Sequence, residues 1–227
     1  MAEKTDERVE LRLLGGFDLR VDGAGVEVQP AAQRLLALLA LTGTVVERPF
    51  AAFQLWPDTA EDRAKANLRS TVWRLRRMPG DLVRATKTHI GLDRGVWVDV
   101  RHGLARDGDP APPGMHIELL PDWYDDWLVT ERERIRQLHL HALERQAERL
   151  LAQGRHDDAI QLGLCASAME PLRESPHRLV IRCHMAEGNL IEAVRHYDRY
   201  AGLLRRELGA APSPLMRALA DGWPMAS

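Results

Sequence analysis

Asp58-Thr-Ala-Glu-Asp-Arg-Ala-Lys-Ala-Asn-Leu-Arg-Ser-Thr-Val-Trp-Arg-Leu-Arg-Arg77 is the stretch whose reading decides the fold. It reads as one helix. Asp58 or Thr59 can cap its start by accepting a hydrogen bond from a free backbone N–H one turn on. Glu61 and Asp62 put negative charge in the first turn and the basic run falls in the last, both in line with the macrodipole. Met78-Pro79-Gly80 stops it. At ~100° per residue, Ala64, Leu68, Thr71, Val72 and Leu75 share one narrow apolar face. Arg63, Arg69, Ser70, Trp73, Arg74, Arg76 and Arg77 collect on the other side. From Arg63 to Arg77 there are six basic residues and no acidic one. A helix that merely needs to be soluble usually mixes signs. Arginine forks two N–H donors onto a phosphate or a guanine edge, and a helix of this width fits the major groove.

Working outward on the N-terminal side, Val9–Leu13 and Phe17–Val21 alternate apolar and polar residues, with Gly15-Gly16 between them. Val26-Glu-Val28 is a third short run, completing an antiparallel meander with one buried face. Pro30 opens a helix to about Thr42, with Leu35, Leu36, Leu38, Leu39 and Leu41 inward and Gly43 closing it. Pro49 starts a short helix that stops at Trp56-Pro57, on which Phe50, Phe53 and Trp56 read as core aromatics. Beyond the basic helix, Leu82–Thr86, Ile90–Leu92 and Val96–Val100 return to a strand pattern. Three strands, three helices and a terminal hairpin describe a winged helix. Its third helix lies in the major groove. The hairpin carries Arg84, Lys87 and His89, placed to reach the neighbouring phosphate backbone. Base contacts are expected from Arg69, Ser70, Trp73, Arg74 and Arg77, and phosphate contacts from Arg63, Lys65, Arg76, Arg84 and Lys87. Trp73 either packs against the wing or meets a thymine methyl or a sugar.

The chain has 227 residues, room for two domains. The net charge of −2 divides into +2 over residues 1–103 and −4 over 104–227. Local clustering matters more than the total, because salt screens distant surface charges. There is no run of ~18 apolar residues and no signal peptide at Met1, so a cytoplasmic protein is expected. Cys165 and Cys183 sit in apolar helical patterns and read as small buried hydrophobes.

Asp107-Gly-Asp-Pro-Ala-Pro-Pro-Gly114 marks the boundary, giving a winged helix over 1–103, a linker over 104–115 and a helical domain over 116–227. Leu151-Ala-Gln-Gly154 with Ala159 repeats as Met185-Ala-Glu-Gly188 with Ala193, 34 residues apart. That is the tetratricopeptide (TPR) period. Glycine serves the tight turn and alanine the close helix crossing. Helices are expected at about 131–153, 155–169, 173–187 and 189–207, with 213–223 capping the end. Trp123, Tyr124 and Trp127 on a short helix either staple the array to the preceding domain or form an exposed patch.

Other chemistry is missing from the sequence. No G-x-x-x-x-G-K-[ST] loop is present. His139 and His141 are two apart, the wrong spacing for one metal. His177, His184 and His196 read as polar positions on repeat helices. Asp122, Asp125 and Asp126 read as cap and first-turn charges. No nucleophile, base and acid combination stands out, so no enzyme, cofactor or metal is expected.

Leu55-Trp-Pro-Asp58, the run Ala66–Arg77 and the opening Leu11–Leu19 resemble the DNA-binding domain of the Streptomyces antibiotic regulatory protein family, an OmpR-type winged helix. Leu119-Leu-Pro-Asp-Trp-Tyr-Asp-Asp-Trp127 and the residues after it are similar to the family's bacterial transcriptional activator domain. The resemblance implies an α+β winged helix followed by an all-α, TPR-like domain. It also implies promoter direct repeats as target, a side-by-side dimer on DNA, and recruitment of RNA polymerase holoenzyme through its sigma and alpha subunits. A biosynthetic gene cluster is the implied destination. The alternative reading is a repeat-based sensor, in which the helical domain binds a protein or ligand and regulates transcription.

Overall fold

The computed structural model describes residues 8–102, 118–221 and 223. They form two compact units, 8–102 with 118–135, and 136–221 with 223. The expected linker at 104–115 lies outside the described residues.

In the first unit, β1 (Val9–Arg12), β2 (Asp18–Val21) and β3 (Ala24–Gly25) are an antiparallel meander, with Val9 opposite Val21 and Leu11 opposite Leu19. Asp22 (φ 52°) and Gly23 (φ 81°) make the two-residue turn between β2 and β3, a left-handed pair suited to strand twist. Val9, Leu11, Leu13, Leu19 and Val21 point into the core. Then come α1 (Pro30–Thr42), β4 (Val46–Glu47), α2 (Arg48–Leu55), α3 (Glu61–Leu75), β5 (Val83–Ala85), β6 (His89–Leu92), β7 (Trp97–Val98) and α4 (Asp99–His102). Pro30 begins α1 and Gly43, at φ 70°, ends it. All five expected leucines of α1 are buried, and so are Ala37 and Ala40. α1 is enclosed because α2, α3 and β6 all pack on it.

Two features differ from the sequence expectation. The run Val96–Val100 does not extend the wing: β7 pairs in parallel with β1, Leu11 beside Val98, and the chain then turns into α4. Asp99 explains the turn. Its Oδ2 accepts from Leu13 N and Leu14 N, both at 2.9 Å, and its Oδ1 from Val100 N at 2.7 Å. The carboxylate satisfies backbone donors past the end of β1, at the cost of burial that raises its pKa against those three bonds. Second, Phe50 and Phe53 are exposed, because α2 seats itself through Ala51, Ala52 and Leu55. Small residues let α2 approach closely, leaving the phenylalanines on its outer side.

Residues 118–135 belong to this unit. Leu119, Leu120, Leu128 and Ile135 join its core, and Leu14 bridges Leu119. The long α5 (Asp126–Ala152) begins here. From its first turns Arg132 donates to Leu119 O and Trp123 O, and Arg134 to Leu41 O at the end of α1. Arg101 donates to Leu39 O and Ala40 O at the same helix end, satisfying carbonyls the helix leaves open. Trp123 stacks on Phe17 at 6.1 Å and Trp127 is half-buried, whereas Tyr124 is 90% exposed.

The second unit is all helix among its described residues: the rest of α5, α6 (His156–Met169), α7 (Glu174–Ala186), α8 (Leu190–Leu208) and α9 (Pro214–Ala220). The 34-residue repeat is visible in its hydrogen bonds. Gly154 N donates to Leu151 O and Arg155 N to Leu150 O; Gly188 N donates to Met185 O and Asn189 N to His184 O. Gly154 and Gly188 both take a left-handed φ, 74° and 78°, the conformation that glycine adopts without strain. Ala159 and Ala193 are fully buried. Gly163 marks the closest crossing, since an added Cβ would lie 2.6 Å from Val180 Cγ2 on α7. His177 and His196 are polar positions on repeat helices, as expected, but not exposed ones. They are buried between α7 and α8, with His177 Nδ1 3.0 Å from His196 Nε2.

Candidate nucleic-acid interface

α3 runs from Glu61 to Leu75, three residues shorter at its start and two at its end than the expected Asp58–Arg77. Its N-cap is Ala60, with no side-chain cap. Its buried residues are Ala64, Leu68, Thr71, Val72 and Leu75, the apolar stripe read from the sequence. Thr71 tolerates burial because its hydroxyl donates to Asn67 O at 2.9 Å. With that stripe fixed in the core, helical geometry divides the exposed side into three strips.

One flank carries Arg63, Asn67 and Arg74. Arg74 Nη1 donates to Gln29 Oε1 at 2.9 Å, beside the start of α1. The crest carries Ser70, Trp73 and Arg77. Trp73 is 57% exposed, and the Arg77 guanidinium lies 4.3 Å above its ring centroid. The other flank carries Lys65, Arg69 and Arg76 and faces the wing. Arg76 Nη2 donates to Ala85 O at 2.8 Å, tying the end of the helix to β5. Lys65 pairs with Glu61 one turn earlier, and that hydrogen bond and charge hold its ammonium pKa up. The side chains of Arg63 and Arg69 make no hydrogen bond or ion pair with the described residues.

The wing is the β5–β6 hairpin, with β4 paired along β6, Val46 opposite Ile90. Gly91 sits where the strands crowd, since a Cβ there would lie 3.1 Å from Val45 Cγ2. Thr86 Oγ1 accepts from His89 N at 3.0 Å and shapes the tip. Arg48 fixes the tip from behind, through its N–H to Thr88 O and its guanidinium to Thr86 O. Between α3 and the wing lies a groove of about 710 Å³, lined on one side by Lys65 and Arg69 and on the other by Lys87, Thr88 and His89. Four residues nominated separately from the sequence thus share one concave surface. Arg84 stands slightly apart, its Nε 3.6 Å from Asp93 Oδ2.

Sequence reading passed over Asn67, which its spacing from Arg63 and Arg74 would have placed on the same flank. It also passed over Arg48, whose place beside the tip depends on the β4–β6 pairing and had no sequence signal. Among the described residues no group of three potential metal ligands occurs, and no helix is long and apolar enough to cross a membrane.

Residues 114–222 match the family model of the bacterial transcriptional activator domain. The chain is 28% identical over 240 residues to regulatory protein AfsR of Streptomyces coelicolor, a match that takes in 96% of this chain and 24% of that protein. It therefore spans about a quarter of that curated relative's length. Among solved structures, Mycobacterium tuberculosis EmbR in complex with a low-affinity phosphopeptide matches with a TM-score of 0.79 at 21% identity. That match covers 95% of this chain and 64% of that one. At such identity the likeness speaks for the fold, a winged helix followed by an all-α unit. Together, the activator-domain match and the likeness to a Streptomyces regulatory protein support the resemblance to the Streptomyces antibiotic regulatory protein family of transcriptional activators.

Proposed function

We propose that the chain is a sequence-specific DNA-binding activator whose α3 enters the major groove of promoter DNA, with the wing on the flanking backbone. One observation carries this reading. α3 seats Ala64, Leu68, Val72 and Leu75 in the core, and the side left over carries, besides Trp73, polar and basic residues with no carboxylate after Asp62. A predominantly basic surface, concave beside the wing and furnished with planar donors, suits a polyanion with readable edges. In this reading Arg69, Ser70, Trp73, Arg74 and Arg77 face base edges. Arg63, Lys65, Arg76, Arg84, Lys87 and His89 lie toward phosphates.

The same proposal extends to what the family resemblance suggests: paired binding at direct repeats, side by side, and recruitment of RNA polymerase holoenzyme by contacts to its sigma and alpha subunits. A biosynthetic gene cluster is the proposed target. The division of labour is residues 1–103 for DNA and 116–227 for activation.

A footprint of the chain on duplexes it selects from a random pool, with and without polymerase holoenzyme, tests both halves. The expected result is a protected direct repeat, extended when holoenzyme is added. Failure to select any duplex would remove the DNA reading. Selection without any change on adding holoenzyme would remove the recruitment reading.

A further inference from the structure

Trp73 is an anomaly of the interface. It is a large apolar side chain, 57% exposed, on the crest of a helix whose other exposed positions are nearly all polar or cationic. Its ring carries Arg77, four residues on, whose guanidinium carbon sits 4.3 Å over the centroid. Such a stack contributes little at an exposed site, too little to justify the exposed indole by stability alone.

The geometry of stacking suggests what it does. A guanidinium is flat, with its five N–H groups directed outward in its plane. Stacking occupies a face and leaves that edge free. A free arginine side chain must lose considerable rotamer entropy before it can donate two parallel bonds. One already laid on an aromatic ring loses less. Arg77 lies two residues past Leu75, the last residue of α3, its N–H donating to Arg74 O.

We infer that Trp73 is a positioning residue, a platform that holds Arg77 for bidentate recognition of a guanine O6/N7 edge. The inference rests on the DNA reading above and adds to it a base and a mechanism. It commits Arg77 to specificity rather than to a phosphate.

The test uses the full chain. Wild type, R77A, W73A and W73F are each titrated against the duplex wild type selects, and against duplexes with every guanine of the protected repeat changed singly to adenine. Melting curves show whether each variant is folded. Wild type should lose roughly 5- to 150-fold in affinity at one particular guanine, the range of one bidentate base contact. R77A should bind the parent and that altered duplex about equally. W73A should lose most of the same discrimination, and W73F should regain much of it by restoring a ring face. Replacing that guanine by 7-deazaguanine should reproduce the loss in wild type only. If W73A keeps the wild-type preference at every guanine, the inference is overturned. The same holds if R77A weakens all duplexes uniformly and lowers the salt dependence by one phosphate contact. If wild type selects no duplex, it is the DNA reading that has failed, and the two failures are told apart by the first titration.

Discussion

Arginine is used in opposite ways on α3 and in the helical unit. In the helical unit, Arg136 pairs with Glu170, Arg173 with Glu144, Arg178 with Glu174, and Arg182 with Glu148. Arg155 and Arg195 pair with acids three residues away, Asp158 and Glu192. On α3, Arg63 and Arg69 have no such partner among the described residues, Arg77 lies on an indole, and Arg74 and Arg76 donate to neutral oxygens. A guanidinium already neutralised by a carboxylate must give up that partner before it can serve a phosphate. One facing a neutral oxygen, or nothing, keeps its full charge for a polyanion. The count of arginines therefore says little; the absence of acids around them says more.

Breaking the contrast where it should matter most gives the largest effect. Arg63→Glu with Arg69→Glu should lower affinity for selected DNA by about a hundredfold or more, since two contacts of ~1–3 kcal/mol are lost and repulsion is added. A calorimetric scan of the same protein should show a melting temperature close to wild type, because both side chains are exposed and bear on nothing in the core. A large drop in melting temperature would mean the two arginines hold the fold.

The converse substitution belongs in the helical unit. Glu144 accepts from Arg173 Nε at 2.8 Å and from Ser175 Oγ at 2.5 Å. Burial pushes its pKa up, but those bonds outweigh burial and hold it below the usual value. Glu144→Ala should cost about 1–3 kcal/mol in urea unfolding, chiefly by stranding the half-buried Arg173. DNA affinity should be unchanged. A depressed carboxylate contributes stability above its unfolded pKa and loses it as pH falls through the folded one, so this contribution fades only in acid.

A smaller effect, at milder pH, comes from the buried imidazoles. Desolvation lowers both histidine pKa values, and His196, further opposed by His177, is brought down to about 4 from 6.5. A histidine whose folded pKa is depressed binds protons more readily when unfolded. Its stability is complete above pH 6.5 and declines as pH falls toward 4. Stability should drop by about 1 kcal/mol between pH 7 and pH 5.5 from His196 alone. His196→Phe should flatten that slope in urea titrations at the two pH values. An unaltered slope would place the titration elsewhere.

The smallest effect is expected at Arg195, 67% exposed and paired only with Glu192. Arg195→Ala should change stability by no more than about 0.5 kcal/mol and DNA binding not at all. It is the control that separates loss of any arginine from loss of an open one.

Much of this was legible in the sequence where one period ruled. The stripe Ala64, Leu68, Thr71, Val72, Leu75 follows helical spacing, and the glycine–alanine repeat follows a 34-residue step, so both could be read without tertiary information. Long-range pairing could not. Val96–Val100 has strand composition, but its partner is β1, some 85 residues earlier, and Asp99 ends it for the sake of Leu13 and Leu14. Phe50 and Phe53 were misplaced because hydrophobicity does not say which side of an eight-residue helix is needed when alanines can take the contact. The burial of His177 and His196 was hidden for a related reason: each looks polar alone, and only the crossing of α7 and α8 brings His177 Nδ1 onto His196 Nε2. At the interface, the basic strips were visible from charge alone. The joint with the wing through Arg76 and Ala85, and the Trp73–Arg77 stack, needed the fold.

The most direct measurement is photocrosslinking from the crest of α3. With p-benzoylphenylalanine in place of Ser70, an exposed position flanked by Arg69 and Trp73, irradiation of the chain on its selected duplex should join it to bases inside the protected repeat. Crosslinks to protein alone, or to DNA outside the footprint, would mean that this side of α3 does not enter the duplex.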